Sequence, residues 1–297
     1  TPVHGSEHMR GILAMLAAVA FFSLMDAQLK LLAAHYPPLQ VSFLRGATSL
    51  PFVLLPILLR GRLARLRPVN VRLHLLRGVL SVVMLGSFVY AVRESSLATT
   101  YSIFMCAPLV VAALSAQMLG ERVTRLQWAA IGVGLAGVLL MLRPDGAQWI
   151  SVGSVAAVVA ALCYSLAVIT LRVLARTDTT ESMVFSFTFL LAVGAGLLSI
   201  PGWTPVLWAH WPLLAGIGLL GSLGQHFITE AFRNAPAAVV TPFEYTALLW
   251  GVLLDLVVWG VLPGAVTLVG GAVVIGAGLF LIRREAVLRS RDDEPLP

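Results

Sequence analysis

The chain has 297 residues, of which 59% are hydrophobic and 11% are charged, and its mean hydropathy is +0.91. A soluble domain of this size cannot bury so much apolar surface, so the composition excludes a soluble protein and indicates a chain that crosses a membrane several times. The net charge of +6 could indicate a nucleic-acid partner, but nearly all the basic residues lie at the ends of apolar runs. That placement favours membrane orientation and no nucleic acid.

Ten apolar runs follow one another along the chain, and each is about long enough to cross a bilayer as a helix. Polar and apolar residues do not alternate within them, so helices must satisfy the backbone in lipid. We therefore predict an all-α integral membrane protein with short connections. The predicted transmembrane helices are 10–33, 39–59, 71–93, 97–119, 124–143, 150–173, 181–200, 209–232, 237–259 and 265–283.

The distribution of basic residues predicts the orientation. With the N-terminus inside, sixteen of the twenty Lys and Arg residues fall on the inner side, and only Lys30, Arg45, Arg93 and Arg143 lie toward the outside. Basic residues favour the cytoplasmic side of a membrane. We therefore expect a multi-pass protein of a bacterial-type inner membrane, with both termini in the cytoplasm.

Two registers relate the first half of the chain to the second. An offset of 140 aligns the later spans and an offset of 142 the earlier ones, as in Gly78 with Gly218, Ala98 with Ala238, Arg143 with Arg283, Gly11 with Gly153 and Ser23 with Ser165. Residues 1–145 and 146–297 are therefore predicted to be two repeats of five helices each. Because five is odd, the second repeat is inverted relative to the first, an arrangement typical of transporters with a central cavity between the repeats.

Short motifs in the sequence favour packing over chemistry. Two segments, 132–137 and 216–221, fit the G-x-G-x-x-G pattern, but both lie within apolar spans, which favours close helix contact over dinucleotide binding. Cys106 and Cys163 also fall within spans, which favours packed thiols. The sequence has no P-loop, H-E-x-x-H motif or Cys/His cluster. We therefore predict no catalytic residue, no metal and no cofactor, and we expect a monomer.

Charged and imidazole side chains within the spans are costly in lipid and separate into two groups by depth. The outer group is Asp26, Lys30, Arg45 and Asp255, and the inner group is Arg77, His226, Glu230 and Glu244. Asp26 and Lys30 are four apart on one helix face, so they can pair. The two groups are candidates for gates, with a proton site at His226, Glu230 or Glu244. Ion pairs that only hold the helices together are the alternative.

Between these two groups, small, hydroxylic and aromatic side chains converge on the middle of the predicted membrane. They predict a cavity for an amphipathic solute of modest size, while ordinary helix contact is the alternative for any one member. The predicted cavity residues are Phe22, Ser23, Ser81, Met84, Phe88, Tyr101, Met105, Tyr164, Ser165, Ser222, Gln225, Thr241 and Tyr245.

Three features carry a resemblance to a known family. They are the first span with Ser23, Asp26 and Lys30, the run LATTYSIFMCAPLVVAALSAQMLGE at 97–121, and the run TPFEYTALLWGVLLDLVVWG at 241–260. Together they resemble the EamA family of the drug/metabolite transporter superfamily, most of all its YddG-type exporters of aromatic amino acids. The second copy departs from the first, since Val261 follows Gly260 where Glu121 follows Gly120. The resemblance implies a ten-helix basket around a central cavity.

The sequence as a whole predicts a secondary transporter, not an enzyme, that exports amino acids or similar small amphipathic metabolites by alternating access. Carriers of S-adenosylmethionine, riboflavin, nucleotide sugars or drugs are alternatives within the class. An intramembrane enzyme and a channel-like component are alternatives from other classes. Transport down the substrate's own gradient is favoured over proton coupling, because no carboxylate lies clearly at the middle of a span.

Overall fold

The computed structural model describes residues 2–118, 125–141, 151–235, 240 and 243–292. Within these ranges the regular structure is helical and no strand occurs. The α-helices are α1 (Pro2–Ala33), α2 (Pro38–Leu59), α3 (Val71–Glu94), α4 (Leu97–Phe104), α5 (Ala107–Met118), α6 (Arg125–Met141), α7 (Val152–Leu174), α8 (Thr180–Ser199), α9 (Trp211–Asn234), α10 (Thr246–Leu254) and α11 (Ala265–Asp292). A π-helical turn, Asp255–Trp259, continues α10.

Helical structure lies at each predicted span, and five helices are long and apolar enough to cross a membrane by length and composition. Among the described residues these are 9–33, 38–59, 71–94, 152–174 and 180–202. The chain is therefore an all-helical, multi-pass membrane protein. Hydroxyl and amide side chains cap the N-termini of several helices. Each of these caps accepts a hydrogen bond from a backbone N–H of the first turn, and they are Asn70, Ser96, Ser151 and Thr179.

The predicted fourth span is two helices and not one. The helix breaks at Met105 and Cys106, between α4 and α5. Pro108 explains the break, because it has no N–H to bond the carbonyl of Phe104. The predicted ninth span is interrupted as well, at Tyr245, between the helical residues 243–244 and α10. The predicted Gly120-Glu121 corner lies outside the described residues.

Four helix pairs make the most extensive contacts: α1 with α9, α3 with α7, α2 with α8, and α6 with α11. Small residues allow close approach between two further pairs, α3 with α8 and α2 with α9. A Cβ at Gly78 of α3 would lie 2.6 Å from the Leu190 Cβ of α8, and a Cβ at Gly218 of α9 would overlap the backbone carbonyl oxygen of Thr48 on α2. No described residue of α6 or α11 lines the central cavity described below.

Two hydrogen-bonded contacts join segments that are far apart in the chain, one just before α2 begins and the other after α2 ends. At one end, the Tyr36 hydroxyl accepts from the backbone N–H of Leu207 at 3.0 Å and lies 2.7 Å from Nδ1 of His210. Tyr36 precedes α2, whereas Leu207 and His210 precede α9. We call this contact the Tyr36 junction.

At the other end, the Asp178 carboxylate accepts from the backbone N–H of Val69 at 2.8 Å and lies 2.9 Å from Nε2 of His74. We call this contact the Asp178 junction. Burial raises the pKa of the Asp178 carboxyl, but the hydrogen bonds from His74, Val69 and Thr177 outweigh burial and leave the pKa below its ordinary value. The junction therefore joins the loop after α7 to the start of α3 through an ionised side chain.

Candidate functional site

A cavity of about 160 Å³ lies at the centre of the helix bundle. Side chains of α1, α2, α3, α4, α7, α8 and α9 line it, together with Met105 and residues 244 and 247. Most of the predicted cavity residues are brought together here. Those that line it are Phe22, Ser23, Met84, Phe88, Tyr101, Met105, Tyr164 and Gln225, with Asp26, Arg45 and Glu244 from the predicted gate groups.

One wall of the cavity carries a buried carboxylate and a buried guanidinium. The Tyr101 hydroxyl donates to Oδ2 of Asp26 at 2.6 Å, and the Tyr101 ring stacks on Phe88 with 6.2 Å between centroids. Arg45 lies 5.8 Å from the ring centroids of both Phe22 and Phe187. The aromatic faces stabilise a cation in this apolar setting, so this wall presents both signs of charge to the cavity.

A second buried carboxylate, that of Glu244, also lines the cavity. The Tyr164 hydroxyl donates to Oε2 of Glu244 at 3.2 Å, and the Tyr164 ring lies 5.2 Å from that of Phe104. Glu244 is buried, with 7% of its surface exposed. Phe104 itself lines the cavity and was not among the predicted residues. The feature of the sequence that could have identified Phe104 as a cavity residue is its aromatic side chain within a predicted span.

A second guanidinium, that of Arg77, lines the cavity on α3. Its exposed fraction is 3%, and its terminal nitrogen donates to the backbone carbonyl of Met183 at 3.0 Å. The Arg77 carbon Cζ lies 4.9 Å from the centroid of the Phe187 ring. Its Nε is buried and has no hydrogen-bond partner among the described residues. Such a donor is costly unless a partner arrives, so Arg77 is suited to an anionic group of a ligand.

Helix breaks coincide with the cavity. Met105 lies at the break between α4 and α5 and lines the cavity, and Glu244 precedes the interruption at Tyr245. Discontinuous helices near the middle of a membrane place backbone dipoles at a binding site in many transporters. Both interruptions therefore lie at the central cavity.

The predicted pairing of Asp26 with Lys30 is wrong. Lys30 instead lies 3.6 Å from Oδ1 of Asp255, donates to the carbonyl of Ser95 at 2.9 Å and sits 4.6 Å above the Trp259 ring. Asp255 also accepts from the backbone N–H groups of Leu97 and Ala98. A carboxylate at the start of α4 satisfies two free N–H groups, and this makes Asp255 the stronger partner for the lysine.

Four predicted cavity residues do not line the cavity. Three of them are serines whose hydroxyls bond to backbone carbonyls: Ser81 to Gly78, Ser165 to Ala161 and Ala107, and Ser222 to Leu219. The fourth, Tyr245, is packed in a buried cluster with residues of α7 and α11. Thr241 lies outside the described residues.

Two predicted gate residues belong to a different cavity. His226 and Glu230 line a cavity of about 530 Å³ between α2, α8 and α9, which we call the lateral cavity. Glu230 accepts hydrogen bonds from Thr180 at 2.6 Å and from Asn234 at 3.0 Å. Among the residues that the structure describes, no three His, Cys, Asp or Glu side chains are grouped so as to hold a metal ion.

The chain matches a known family and several characterised relatives. Residues 9–143 match the model of the EamA-like transporter family. The pseudopaline exporter CntI of Pseudomonas aeruginosa is 30% identical over 92% of this chain and 96% of its own length. The riboflavin transporter of Rhizobium johnstonii is 28% identical over 95% of this chain and 94% of its own. The S-adenosylmethionine uptake transporter of Rickettsia prowazekii is 23% identical over 94% of each chain.

A solved crystal structure shares the fold. It superposes with a TM-score of 0.65 at 21% sequence identity and covers 96% of this chain and 99% of its own. The similarity therefore extends over the whole chain and not over the first half alone.

Proposed function

The chain belongs to the EamA-like transporter family, and from that premise we propose that it is a secondary transporter that exports amino acids or similar zwitterionic metabolites by alternating access. Its relatives are transporters of small molecules. They include an exporter and an uptake transporter, so the direction of transport is part of the proposal.

The charge pattern of the central cavity is the observation that carries the proposal. Arg77 offers a buried Nε–H that has no partner among the described residues, and Glu244 lines the same cavity and accepts from the Tyr164 hydroxyl. A zwitterion presents a carboxylate and an ammonium group a few ångströms apart, and both groups need a buried partner of opposite charge. Phe22, Phe88 and Phe104 line the space between the charges and suit an apolar or aromatic side chain.

The packing of the helices supports two inverted repeats, residues 1–145 and 146–297. Under the offsets found in the sequence, the pair α1–α9 exchanges with the pair α7–α3, while α2–α8 and α6–α11 map onto themselves. The close contacts exchange in the same way. Gly78 approaches Leu190 and Gly218 approaches Thr48, with Gly218 140 positions after Gly78 and Leu190 142 positions after Thr48.

The helix breaks support the same repeat. Met105 and Tyr245 are 140 positions apart, and each interrupts a helix at the same level of its proposed half. With ten spans and the charge distribution of the sequence, both termini lie in the cytoplasm of a cell with a bacterial-type inner membrane. Rocking of one repeat against the other would expose the central cavity to each side in turn.

The decisive experiment is uptake of labelled amino acids into proteoliposomes, with and without a pH gradient. We expect saturable uptake and counterflow for aromatic and other zwitterionic amino acids. Asp26 and Glu244 line the central cavity, which removes the sequence argument that no carboxylate lies at the middle of a span. If transport nevertheless runs down the substrate's own gradient, as we propose, the pH gradient should leave the rate unchanged. Accumulation that requires the pH gradient would assign proton coupling instead, with Glu244 as the first residue to test. Absence of counterflow would contradict a carrier.

Arg77→Gln tests the role of the guanidinium. Gln places a neutral amide near the position of the Arg77 Nε, so it lacks both the charge that we assign to carboxylate binding and the terminal nitrogen that bonds the Met183 carbonyl. Loss of one charge-assisted hydrogen bond, about 1.5–3 kcal/mol, should lower kcat/KM for a free amino acid by about 10- to 150-fold. The same variant should change kcat/KM for the methyl ester of that amino acid little. Arg93→Gln, at the exposed far end of α3, is the matched control and should behave as the parent.

A carrier of a larger aromatic metabolite is the second candidate, because relatives that span nearly the whole chain transport riboflavin and S-adenosylmethionine. Both compounds belong in the uptake panel. Saturable transport of either one, with no transport of any amino acid, would replace the amino-acid proposal. Formation of a modified product during uptake would indicate an enzyme.

A further inference from the structure

The lateral cavity is larger than the central one and has a different lining. Its inner part is apolar and includes Phe52, Val53 and Ile57 of α2 with Leu223 of α9. Its mouth, where α2 ends, is lined by four arginines: Arg60, Arg62, Arg65 and Arg233. Among the described residues, none that lines the lateral cavity also lines the central cavity. The lateral cavity is therefore a separate compartment.

The mouth has an excess of positive charge. Its two carboxylates, Glu181 and Glu230, already have partners among the described residues. Arg65 donates to Glu181 at 2.9 Å, and Thr180 and Asn234 donate to Glu230. Four guanidinium groups against two carboxylates leave two positive charges in excess in the described lining. An anion at the mouth would balance them.

The order of side chains along α2 indicates what kind of anion fits. From Phe52 to Arg60 one face of the helix changes from apolar to basic over eight residues, about 12 Å of helix rise. On α9 the order is Ser222, His226, Glu230 and Arg233, so hydroxyl and imidazole groups lie between the apolar part and the arginines. A phospholipid has the same order: acyl chain, ester oxygens, then phosphate. A soluble anion would not need the apolar part.

We propose that the lateral cavity binds an anionic phospholipid, with Arg60 and Arg62 contacting the phosphate and the apolar face of α2 contacting the first part of an acyl chain. Basic pockets between transmembrane helices at the membrane surface bind anionic headgroups in this way. Arg65 remains paired with Glu181, and Arg233 still donates a hydrogen bond to the Thr180 hydroxyl at 2.9 Å. The bound lipid would join the end of α2 to α8 and α9.

The experiment counts bound lipids by native mass spectrometry of the purified chain, titrated with phosphatidylglycerol or phosphatidylcholine. We expect tight binding of at least one phosphatidylglycerol and weak binding of phosphatidylcholine. In the double variant Arg60→Gln/Arg62→Gln, the affinity for phosphatidylglycerol should fall about thirtyfold, because each arginine near an anionic lipid contributes about fivefold. Both side chains are exposed, so the variant should fold.

Arg67→Gln/Arg72→Gln is the matched control, because it removes two exposed arginines from the same end of the molecule that do not line the cavity. It should change the affinity by less than about threefold, since general surface attraction is screened by salt. Equal losses in both double variants would overturn the proposal in favour of general charge attraction. Displacement of the bound phosphatidylglycerol by millimolar inorganic phosphate would also overturn it, since the site would then accept a free anion.

Discussion

The Tyr36 junction and the Asp178 junction close opposite ends of the molecule with the same arrangement and different chemistry. In each, a loop residue bonds to a backbone N–H and a histidine of a distant segment. Tyr36 and Asp178 are 142 positions apart, the offset that relates the early spans. At one end the loop residue is a neutral phenol, and at the other it is a carboxylate.

A glycine in close contact with a neighbouring helix lies near each junction. Gly218 lies two turns inside α9 from the Tyr36 junction and faces the backbone of Thr48, whereas Gly78 lies two turns inside α3 from the Asp178 junction and faces the side chain of Leu190. Backbone packing responds to volume, and an ionised hydrogen bond responds to pH. One end is therefore held by close packing, while the strength of the hydrogen bonds at the other end depends on pH.

The largest effect is expected from Gly218→Val. A new side chain would overlap the Thr48 carbonyl oxygen, which cannot move without shifting α2. We expect a loss of about 3 kcal/mol in the free energy of unfolding, the upper part of the range for overpacking. Thermal unfolding in detergent, followed by fluorescence-detected size exclusion, measures it. Gly132→Val, where a Cβ would meet no atom within 4 Å, is the control, and an equal loss there would contradict the packing argument.

Asp178→Asn should lower the free energy of unfolding by about 2 kcal/mol at pH 7, because the hydrogen-bond donors at this junction lose a charged acceptor. The folded-state pKa of Asp178 lies below its ordinary value of 3.8. The carboxylate therefore contributes its full stability above that ordinary value and loses it as the pH falls through the lowered pKa. Melting temperatures of parent and variant, measured between pH 7 and pH 3, should begin to converge only below about pH 4.

Glu181→Gln controls for this prediction at the same end of the molecule. Its partner Arg65 is half exposed, and such surface pairs contribute about 0–1 kcal/mol. If Glu181→Gln lowers the free energy of unfolding as much as Asp178→Asn does at pH 7, the Asp178 junction contributes no more stability than a surface ion pair.

The smallest effect is expected at the neutral junction. Tyr36→Phe removes the hydroxyl that bonds to Leu207 and His210 while keeping the ring. The loss should be about 1 kcal/mol, the usual value for a neutral hydrogen bond. It should not diminish below pH 4 as that of Asp178→Asn does, because no carboxylate takes part. A loss greater than that of Asp178→Asn at pH 7 would reverse the comparison.

Helix positions were accessible from the sequence because a bilayer demands apolar runs of a set length, and the runs fall where α1, α2, α3, α7 and α8 lie. The break at Met105 was not predicted, although Pro108 was a visible signal for it. The length of the apolar run outweighed the proline, and only the packed structure gives the site of the kink.

Only part of the candidate site could be predicted from the sequence. Aromatic residues at middle depth on several spans were assigned to a cavity, and most of them line one. Ser81, Ser165 and Ser222 do not, because a serine on a helix can bond a carbonyl three or four residues back, and sequence alone does not decide between that bond and a ligand. Lys30 was assigned to its neighbour Asp26 on the helix, since its partner Asp255 is 225 positions away and only tertiary structure brings it near.

The Asp178 junction also has a consequence for the time course of biosynthesis. The Val69 N–H and the Asp178 carboxylate are separated by 109 positions. At about 5–20 residues per second, the ribosome needs about 5–20 s to add the second partner after the first. Throughout that interval the Val69 N–H and the His74 ring lack their Asp178 partner. We therefore expect the early helices to remain loosely assembled, and accessible to insertion factors, until the loop after α7 has emerged.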